Sequence, residues 1–376
     1  MAPAPPTPEQ LRATFDAAGP LTVGVEEELM LLDADSLDLL PRALDVLART
    51  GDDPRFKAEL PAAHLEILTA PAERTDEAVA ALAAGRRDLA AAAGEIGRLA
   101  TAGVHPFAAP FGTLNGGERY WLTAREYGLI ARAQLVCGLQ VHVAVGGAER
   151  SLAVYNALRA HLPELAALAA NAPYLGGLDT GLASVRPKVS QLLPRQGVPP
   201  ALESWDAFAA ALRWGAAAGS VPEPRRWWWE LRPHPAFGTL EVRVPDAQAR
   251  LLDAAAIVAV VHSLTARLAA RHDAGEPAPR VERWRIEENR WSACRDGVEG
   301  TLADLETGER QPTRERLRAL LDELAPEAER LGAAAGLTAA RELVEVNGAM
   351  RQRAAAAGGD LRSVAAWLAD AYGERP

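Results

Sequence analysis

Five short segments of the chain alternate apolar and polar residues with a period of two, which is the pattern of half-buried β-strands. In the first segment, residues 22–32, the apolar side chains share one face with Glu27, whereas Glu26 and Glu28 point to the opposite face. The other four strands are predicted at residues 64–69, 138–145, 227–232 and 239–244. The last two are joined by "PHPAFG", which favours a hairpin. The pattern predicts an antiparallel sheet with one apolar and one polar face.

Helical patterns occupy most of the remaining chain. The predicted helices cover residues 74–101, 151–171, 204–217, 249–272, 313–331, 337–357 and 361–372. Ser151 and Ser204 are suitable N-caps for two of them. Residues 174–200 contain glycine and proline and are expected to form a long ordered loop, and the Pro-rich residues 1–10 are predicted to be a flexible tail. We therefore predict an α+β fold in which residues 11–376 form one domain, with helices covering one face of the antiparallel sheet.

The polar face of the predicted sheet is rich in glutamate, glutamine, histidine and arginine and has no lysine. Its residues are Glu26, Glu28, His64, Glu66, Gln140, His142, Glu230, Arg232, Glu241 and Arg243. One interpretation is an ordinary solvated face. The other is a concave face whose carboxylates converge on a bound cation, because clustered carboxylates repel one another unless a positive charge neutralises them.

Mg²⁺ is the cation that suits such a cluster best, since it takes hard oxygen ligands. Zinc is a weaker interpretation, because the chain has no H-E-x-x-H motif and its two cysteines are not spaced for a zinc site. Arg232 and Arg243 suit an anionic substrate, since guanidinium groups pair with carboxylate or phosphate through two hydrogen bonds. Carboxylates for a metal and arginines for phosphate together favour phosphoryl transfer.

Composition and missing motifs argue against several other classes of protein. The chain has no P-loop, no G-x-G-x-x-G after a strand and no G-x-S-x-G. Its formal charge of −10 argues against nonspecific binding to nucleic acid or to an anionic membrane. We expect no signal peptide, because the N-terminus has no basic region followed by an apolar run, and no membrane helix, because Arg, Asp or Glu interrupts every alanine-rich segment. Cys137 and Cys294 are expected to be reduced packing thiols in a cytoplasmic protein.

Nine motifs lie in order along most of the chain. They are "GVEEEL" (24–29), "AELPAAHLEILTAP" (58–71), "GVHPFA" (103–108), "ERY" (118–120), "VCGLQVHVAV" (136–145), "DTGLASVRP" (179–187), "GVPP" (197–200), "WWWELRPHPAFGTLEVRVPDAQ" (227–248) and "ENRWSACRDG" (288–297). Each motif is weak alone. In this order they resemble the carboxylate–amine ligases of the glutamate–cysteine ligase type 2 family.

This resemblance implies a glutamine-synthetase-like fold, in which the inner face of a curved antiparallel sheet holds Mg²⁺ and ATP. It also implies a reaction between small-molecule substrates. ATP phosphorylates the side-chain carboxylate of glutamate, and the amine of cysteine then displaces phosphate from the acyl phosphate. The residues that match the family's metal ligands are Glu26, Glu28, Glu59, Glu66, His142 and Glu241. Glu241, Arg232 and Arg243 are expected to act in catalysis, close to phosphate or substrate.

Other residues of the motifs are expected to bind the substrates. The expected substrate-binding residues are Asp179, Thr180, Ser184 and Arg186 in the long loop and Gln140 on a strand. Binding residues concentrate on ordered loops, whereas Gln140 stands where many relatives have a histidine. The candidates for contact with the nucleotide phosphates are Asn289, Arg290 and Arg295. The alternative for these three is an ordinary surface role.

Three functions stay open at this stage. The first is an ATP-dependent ligase that forms γ-glutamylcysteine, and the second is a guanidino-kinase-like phosphotransferase that uses Mg²⁺ and ATP without forming an amide. The third is a degenerate nucleotide-binding regulator. A glycosidase with two paired carboxylates would leave the other acids and the arginines unexplained. No nucleic-acid or membrane partner is expected, and a homo-oligomer is an open alternative.

Overall fold

The computed structural model describes residues 4–219, 226–277, 281–356 and 360–374. Residues 1–3 of the predicted tail and residue 357 at the end of one predicted helix lie outside these ranges. The strands of the described residues are β1 Val23–Leu32, β2 Phe56–Ala58, β3 His64–Leu68, β4 Arg98–Ala100, β5 Leu139–Ala144, β6 Tyr174–Leu175, β7 Leu178–Asp179, β8 Leu231–His234, β9 Thr239–Val242, β10 Thr301–Ala303 and β11 Arg310–Pro312.

The main sheet is antiparallel throughout, as the alternation predicts. Its strand order is β2–β3–β1–β5–β9–β8, and β4 pairs with the end of β1. β6 pairs with β7, and β10 pairs with β11, in two small hairpins outside this sheet. β1 lies at the centre of the main sheet, so its two polar side chains on the concave face have neighbours on both sides.

The other regular elements of the described chain are helices, joined by loops and turns. They are α1 Pro8–Ala17, α2 Ala43–Leu47, α3 Thr75–Ala93, α4 Glu118–Tyr127, α5 Leu129–Arg132, α6 Ala148–Leu158, α7 Leu162–Leu168, α8 Arg186–Ser190, α9 Trp205–Ala217, α10 Leu251–Asp273, α11 Arg283–Asp296, α12 Thr313–Glu323, α13 Ala325–Arg330, α14 Ala334–Glu345, α15 Gly348–Ala355 and α16 Leu361–Gly373. The mixture of helices with an antiparallel sheet confirms the α+β class.

The apolar face of the sheet packs against α3, α6 and α10. Gly85 lets α3 approach closely, because a Cβ at this position would lie 2.6 Å from Ile67 of β3. The opposite face is not bare along its whole length. Met30 and Leu32, at the end of β1, pack in a second apolar cluster with Leu368 of α16. Helices therefore cover the apolar face as predicted, and α16 also covers one end of the opposite face.

Several predicted boundaries were wrong. The predicted helix 74–101 ends at Ala93, because Gly94 with φ of +40° terminates it and the chain continues as β4. The predicted helix 151–171 begins at Ala148 instead of Ser151, whose hydroxyl donates to the Gly147 carbonyl from inside the helix. Ser204 is the N-cap of α9, as predicted, and its hydroxyl accepts from the Ala207 backbone N–H.

Three further differences lie outside the centre of the sheet. The predicted strand 227–232 begins at Leu231 and ends at His234, so the tryptophan run precedes it. α1 includes residues 8–10 of the predicted tail, and Thr7 caps it through a capping box with Gln10. α11 was not predicted, since its charged sequence has little helical periodicity of apolar residues.

Among the described residues, one helix is long and apolar enough to cross a membrane by length and composition alone. This helix is α10, and it contradicts the expectation that no segment has the apolar length of a membrane helix. Within the fold, 89% of its apolar window is buried, and it packs against α3, α6 and α14. α10 is therefore a buried core helix of the fold.

Candidate active site

The two faces of β1 hold its glutamates in different environments. Glu27 is fully buried on the helix side, where Arg86 of α3 donates to it at 2.5 and 2.7 Å. Arg86 also donates to the backbone carbonyls of Gln248 and Ala249. Glu26 and Glu28 lie on the concave face, since side chains of a strand alternate. The predicted faces of the three glutamates of β1 are confirmed, and the buried Glu27 pairs with an arginine of a helix that covers the sheet.

Three possible metal ligands meet on the concave face. His142 of β5 lies directly opposite Glu241 of β9 in the sheet, and Glu26 of β1 is on the other side of β5. The ligand atoms of these three residues lie within 4.8 Å of one another. His142 Nε2 is 3.4 Å from Glu26 Oε1 and 3.9 Å from Glu241 Oε1, and its Nδ1 is 2.9 Å from the Thr239 hydroxyl. The imidazole is thus anchored at one nitrogen and faces two carboxylates with the other.

Two arginines surround the Glu241 carboxylate. Arg232, its neighbour across the β8–β9 pair, donates from Nε and, at 3.1 Å, from Nη2. Arg243 donates from Nη1 to Glu241 Oε1. Burial alone would raise the pKa of Glu241, but Arg243 and Arg232 bring it well below its ordinary value, so the carboxylate stays ionised. The pKa of Glu26 is also lowered, because contact with His142 outweighs the effect of burial.

A second group of acids lies on the neighbouring strands. Glu28 of β1 and Glu66 of β3 are directly opposite each other in the sheet. Burial raises the pKa of Glu66 well above its ordinary value, and the nearby charges of Glu59, Glu26 and Glu28 raise it further. The pKa of Glu28 is also raised by burial, although Arg186 and Arg243 oppose the shift. Glu28 and Glu66 therefore lie close to other carboxylates without enough positive charge to neutralise them. Glu241 differs, because two arginines neutralise it.

Gln140 connects the two acid groups. Its Nε2 donates to Glu28 Oε1 at 2.9 Å, and its Oε1 accepts from Arg243. The backbone N–H of Gly138 donates to the other oxygen of Glu28 at 2.5 Å. Gln140 is 3% exposed, so both ends of its amide are used inside the protein. Its position favours a bridging role in the acid network over direct contact with substrate.

A cavity of about 190 Å³ opens beside the acids. Of the residues that the sequence singled out, Glu28, Glu59, Arg186 and Arg243 line it. Arg186 comes from α8, within the loop region that was predicted at residues 174–200. The cavity therefore lies between the concave face of the sheet and α8.

The donors fit a divalent cation. His142 Nε2 is buried and makes no hydrogen bond among the described residues, while facing the oxygens of Glu26 and Glu241. Two carboxylates and one imidazole suit a cation that accepts both oxygen and nitrogen ligands. The second acid group, with the raised pKa of Glu66, would also gain from a nearby cation.

Four of the five expected substrate residues do not line this cavity: Gln140, described above, and the three loop residues Asp179, Thr180 and Ser184. Asp179 is exposed in the β6–β7 hairpin and pairs with Arg353 at 2.6 Å. The Thr180 hydroxyl donates to the Pro173 carbonyl, and Ser184 is buried with its carbonyl bonded to the Cys294 thiol. A substrate role for these three finds no support in their placement.

The three candidates for contact with nucleotide are separated from one another. Asn289 exchanges two hydrogen bonds with the backbone of Ala303, which attaches α11 to β10. Arg290 is buried and pairs with Glu230 at 2.9 Å, and Arg295 is exposed beside Asp296. Along α11 these side chains point in different directions, so they do not form one phosphate site. Arg290 is the nearest to the cavity, since Glu230 lines it.

Two cavity residues were missed as site candidates. His64 and Glu230 line the cavity with Glu28 and Arg243. Both lie on the polar face in the alternation of their segments, so the period-two pattern contains the signal. His64 Nδ1 is 3.5 Å from the Cys137 sulfur, and burial lowers the pKa of His64 to about 3.

Both cysteines are free and buried, as expected, and burial raises the pKa of each thiol, so both stay protonated.

Known proteins resemble this chain over most of its length. The model of the glutamate–cysteine ligase family 2 matches residues 22–366. A Rubrobacter xylanophilus protein provisionally named glutamate–cysteine ligase 2-3 is 39% identical over 370 residues, covering 96% of this chain and 99% of that protein. A Mycolicibacterium vanbaalenii protein provisionally named glutamate–cysteine ligase 2-1 is 36% identical, covering 91% of this chain and 92% of that protein.

Solved structures share the fold at low sequence identity. The glutamate–cysteine ligase of Francisella tularensis, solved in complex with AMP, superimposes with a TM-score of 0.71 at 13% identity over 93% of this chain and 88% of that chain. A bifunctional glutathione synthetase from Pasteurella multocida gives a TM-score of 0.69 at 15% identity, over 97% of this chain and 53% of that chain. These likenesses confirm the predicted fold, and the match of the family model over most of the sequence shows that the chain belongs to the glutamate–cysteine ligase family 2.

Proposed function

We propose that the protein is an ATP-dependent carboxylate–amine ligase that joins the side-chain carboxylate of glutamate to the amine of cysteine. The observation that carries this proposal is the meeting of Glu26, His142 and Glu241 on a concave face that also holds Arg232 and Arg243. The ionised carboxylates suit the Mg²⁺ of a bound nucleotide, and the arginines suit its phosphates. ATP, Mg²⁺ and small-molecule substrates in the cytoplasm are parts of the same proposal.

The proposed reaction has two steps. An oxygen of the glutamate side-chain carboxylate attacks the γ-phosphorus of ATP, and the bond to the bridging oxygen breaks to release ADP. The cysteine nitrogen then attacks the acyl carbon of the acyl phosphate and expels phosphate, while the nitrogen loses a proton. The sum is acid, amine and ATP giving amide, ADP, phosphate and a proton.

The residues of the concave face would divide these tasks. A bound Mg²⁺ would neutralise phosphate charge, and Glu26, His142 and Glu241 would hold it. Arg243 lines the cavity and is positioned to donate to an anionic oxygen of substrate or phosphate. Arg232 is more deeply placed and orients Glu241 through two hydrogen bonds. Gln140 would hold the side chains of Glu28 and Arg243 in fixed positions, because it forms a hydrogen bond with each of them.

A substrate screen tests the proposal. The purified protein is incubated with ATP and Mg²⁺ and with glutamate, cysteine or both, while phosphate release is followed and products are identified by mass spectrometry. We expect sustained phosphate release and an amide product only when both amino acids are present. Glu149→Gln, at an exposed side chain on α6, serves as the active control, and Glu26→Gln should be inactive.

The same assay distinguishes the alternatives. A phosphotransferase would form ADP and a phosphorylated acceptor without an amide. A nucleotide-binding regulator would bind ATP without turnover. Either result, obtained across a panel of amino-acid pairs, would contradict the ligase proposal.

A further inference from the structure

Two residues that line the cavity each carry a buried nitrogen with no hydrogen-bond partner among the described residues. His64 Nε2 and Arg186 Nε are each buried, and neither has a hydrogen-bond partner within the described parts of the chain. Both residues line the cavity beside the acids. The other nitrogens of Arg186 are engaged, since Nη1 and Nη2 donate to the Val244 and Arg243 carbonyls at 3.3 Å. Buried donors are rarely left unsatisfied unless they have a functional role or a missing partner.

The neighbour of His64 indicates which ring nitrogen carries the proton. Nδ1 lies 3.5 Å from the sulfur of Cys137, a buried thiol. A protonated thiol is a weak donor and a poor acceptor, whereas an unprotonated imidazole nitrogen accepts readily. The thiol therefore donates to Nδ1, and the proton of the neutral ring lies on Nε2. We assign this tautomer from the hydrogen-bond geometry.

We propose that His64 Nε2, together with Arg186, binds the α-carboxylate of the acid substrate and so positions its side-chain carboxylate for phosphorylation. This inference rests on the proposed ligase function and adds to it a subsite and a residue that selects the substrate. His64 is a binding residue in this proposal and takes no part in the chemistry. Glu59 and Glu230 line the same cavity and suit the ammonium group of the same amino acid.

The spacing along the strands supports this orientation of the acid. His64 lies opposite Met30 and Glu66 lies opposite Glu28, so His64 is two residues further along β3 than the acid pair. Two residues of a strand span about 7 Å. The two carboxyl carbons of extended glutamate are separated by four C–C bonds of about 1.5 Å, or roughly 5 Å. A glutamate molecule can therefore extend from His64 to the end of the cavity at Glu28 and Arg243.

A matched pair of substitutions tests the role of Nε2. The amide nitrogen of glutamine can take the position of Nε2, whereas asparagine reaches only the position of Nδ1. We expect His64→Asn to raise the KM for glutamate by about 10- to 100-fold, the usual effect of losing a hydrogen bond to a charged group. The KM values for ATP and cysteine and the value of kcat should change much less. His64→Gln should restore most of the affinity for glutamate.

A substrate analogue without the α-carboxylate removes the same contact by changing the ligand instead of the protein. 4-Aminobutyrate keeps the reacting carboxylate and the amine of glutamate but lacks the α-carboxylate. The wild type should prefer glutamate strongly, and His64→Asn should lose most of this preference by weakening glutamate alone. His272→Asn, at an exposed histidine near the end of α10, is the control and should behave as wild type.

The possible outcomes separate this inference from the ligase proposal. A rise in the KM for cysteine with that for glutamate unchanged would assign the carboxylate to the amine substrate and overturn the inference. Equal effects of His64→Asn and His64→Gln on the KM for glutamate would reduce His64 to a packing residue. If no ligation is found, calorimetric titration of glutamate into the full chain decides: binding lost in the asparagine variant and kept in the glutamine variant supports the subsite, and equal binding rejects it.

Discussion

Two buried groups of glutamate and arginine lie on opposite faces of the same sheet and differ in how completely they are satisfied. Glu27 and Arg86 form a closed pair, in which the arginine also donates to two backbone carbonyls. Glu241 is bound by two arginines, yet Arg243 is 19% exposed at the cavity and His142 Nε2 beside it makes no hydrogen bond among the described residues. Burial alone therefore does not distinguish a structural ion pair from a functional one. The two kinds of pair are distinguished by the hydrogen-bonding atoms around them that have no partner, such as His142 Nε2 beside Glu241.

The largest expected effect is the loss of stability at Glu27. Glu27→Gln leaves Arg86 buried without its counter-charge, which should lower the free energy of unfolding by about 3–5 kcal/mol. Denaturant unfolding monitored by circular dichroism measures this change. The double substitution of Glu27 and Arg86 by leucine should recover much of the stability, because removing both charges avoids the unpaired one.

The ligase activity of the folded fraction of Glu27→Gln distinguishes a structural role of Glu27 from a catalytic one. The variant should still ligate at near the wild-type rate per folded molecule, since Glu27 faces the helices. A Glu27→Gln protein with unchanged unfolding and no turnover would mean that the two faces of β1 are assigned backwards.

Glu241→Gln should mainly affect catalysis. We expect ligase activity to fall by about 10²-fold or more, as for the loss of one major electrostatic contact in an active site. Stability should fall as well, because Arg232 and Arg243 lose their shared partner. Steady-state phosphate release at saturating Mg²⁺, compared with the exposed-site control Glu149→Gln, checks the first expectation. Near-wild-type turnover would show that Glu241 is not a metal ligand.

The two arginines also show where sequence reasoning was incomplete. In the sequence, Glu241 belongs to a crowded set of acids, and removing one of them is expected to leave folding unharmed or improved. In the structure, Arg232 and Arg243 neutralise Glu241, and the crowding lies at Glu28 and Glu66 instead. The faces of the strands could be predicted because alternation is local. The pairing of charges across strands depends on register, which no single segment contains.

Residues outside the sheet were harder to place, for a related reason. Arg86 could be anticipated only as an unspecified arginine of a covering helix, because the rotation of α3 is set by packing at Gly85 and Ile67. Asn289 and Arg290 were in a recognisable motif, but α11 directs one to β10 and the other to Glu230. The motif therefore indicated which residues to consider, whereas the contacts of each residue depend on the path of the loops and helices that carry it.

Acid should act on a third buried acid with cationic partners, which lies in the helical layer. Glu164 of α7 is buried, and although burial would raise its pKa, His161 and Arg316 lower it from the usual 4.5 to about 2. A lowered pKa in the folded state contributes stability that is complete above pH 4.5 and is lost as the pH falls toward 2. The total is about 3 kcal/mol, at roughly 1.4 kcal/mol per pKa unit.

Unfolding of the wild type and of Glu164→Gln, measured across this range, isolates the contribution. The difference in unfolding free energy between the two proteins should shrink as the pH falls from 5 toward 2.5. A difference that stays constant with pH would show that Glu164 has an ordinary pKa in the folded protein.

The smallest expected effect has the opposite sign. Glu66 has a raised pKa, from burial and from Glu59, Glu26 and Glu28, so its ionised form opposes folding at neutral pH and this cost is relieved as the pH falls. Glu66→Gln should therefore stabilise the metal-free protein by about 0.5–2 kcal/mol, the gain typical of relieving an unfavourable charge.

The same change should weaken the Mg²⁺ dependence of ligation, because the acid group that needs a cation has lost a member. Thermal melting with and without Mg²⁺ measures both effects. Stabilisation by Mg²⁺ should be smaller in Glu66→Gln than in wild type, and a metal-free variant that melts below wild type would place Glu66 with Glu27 among the closed, structural acids.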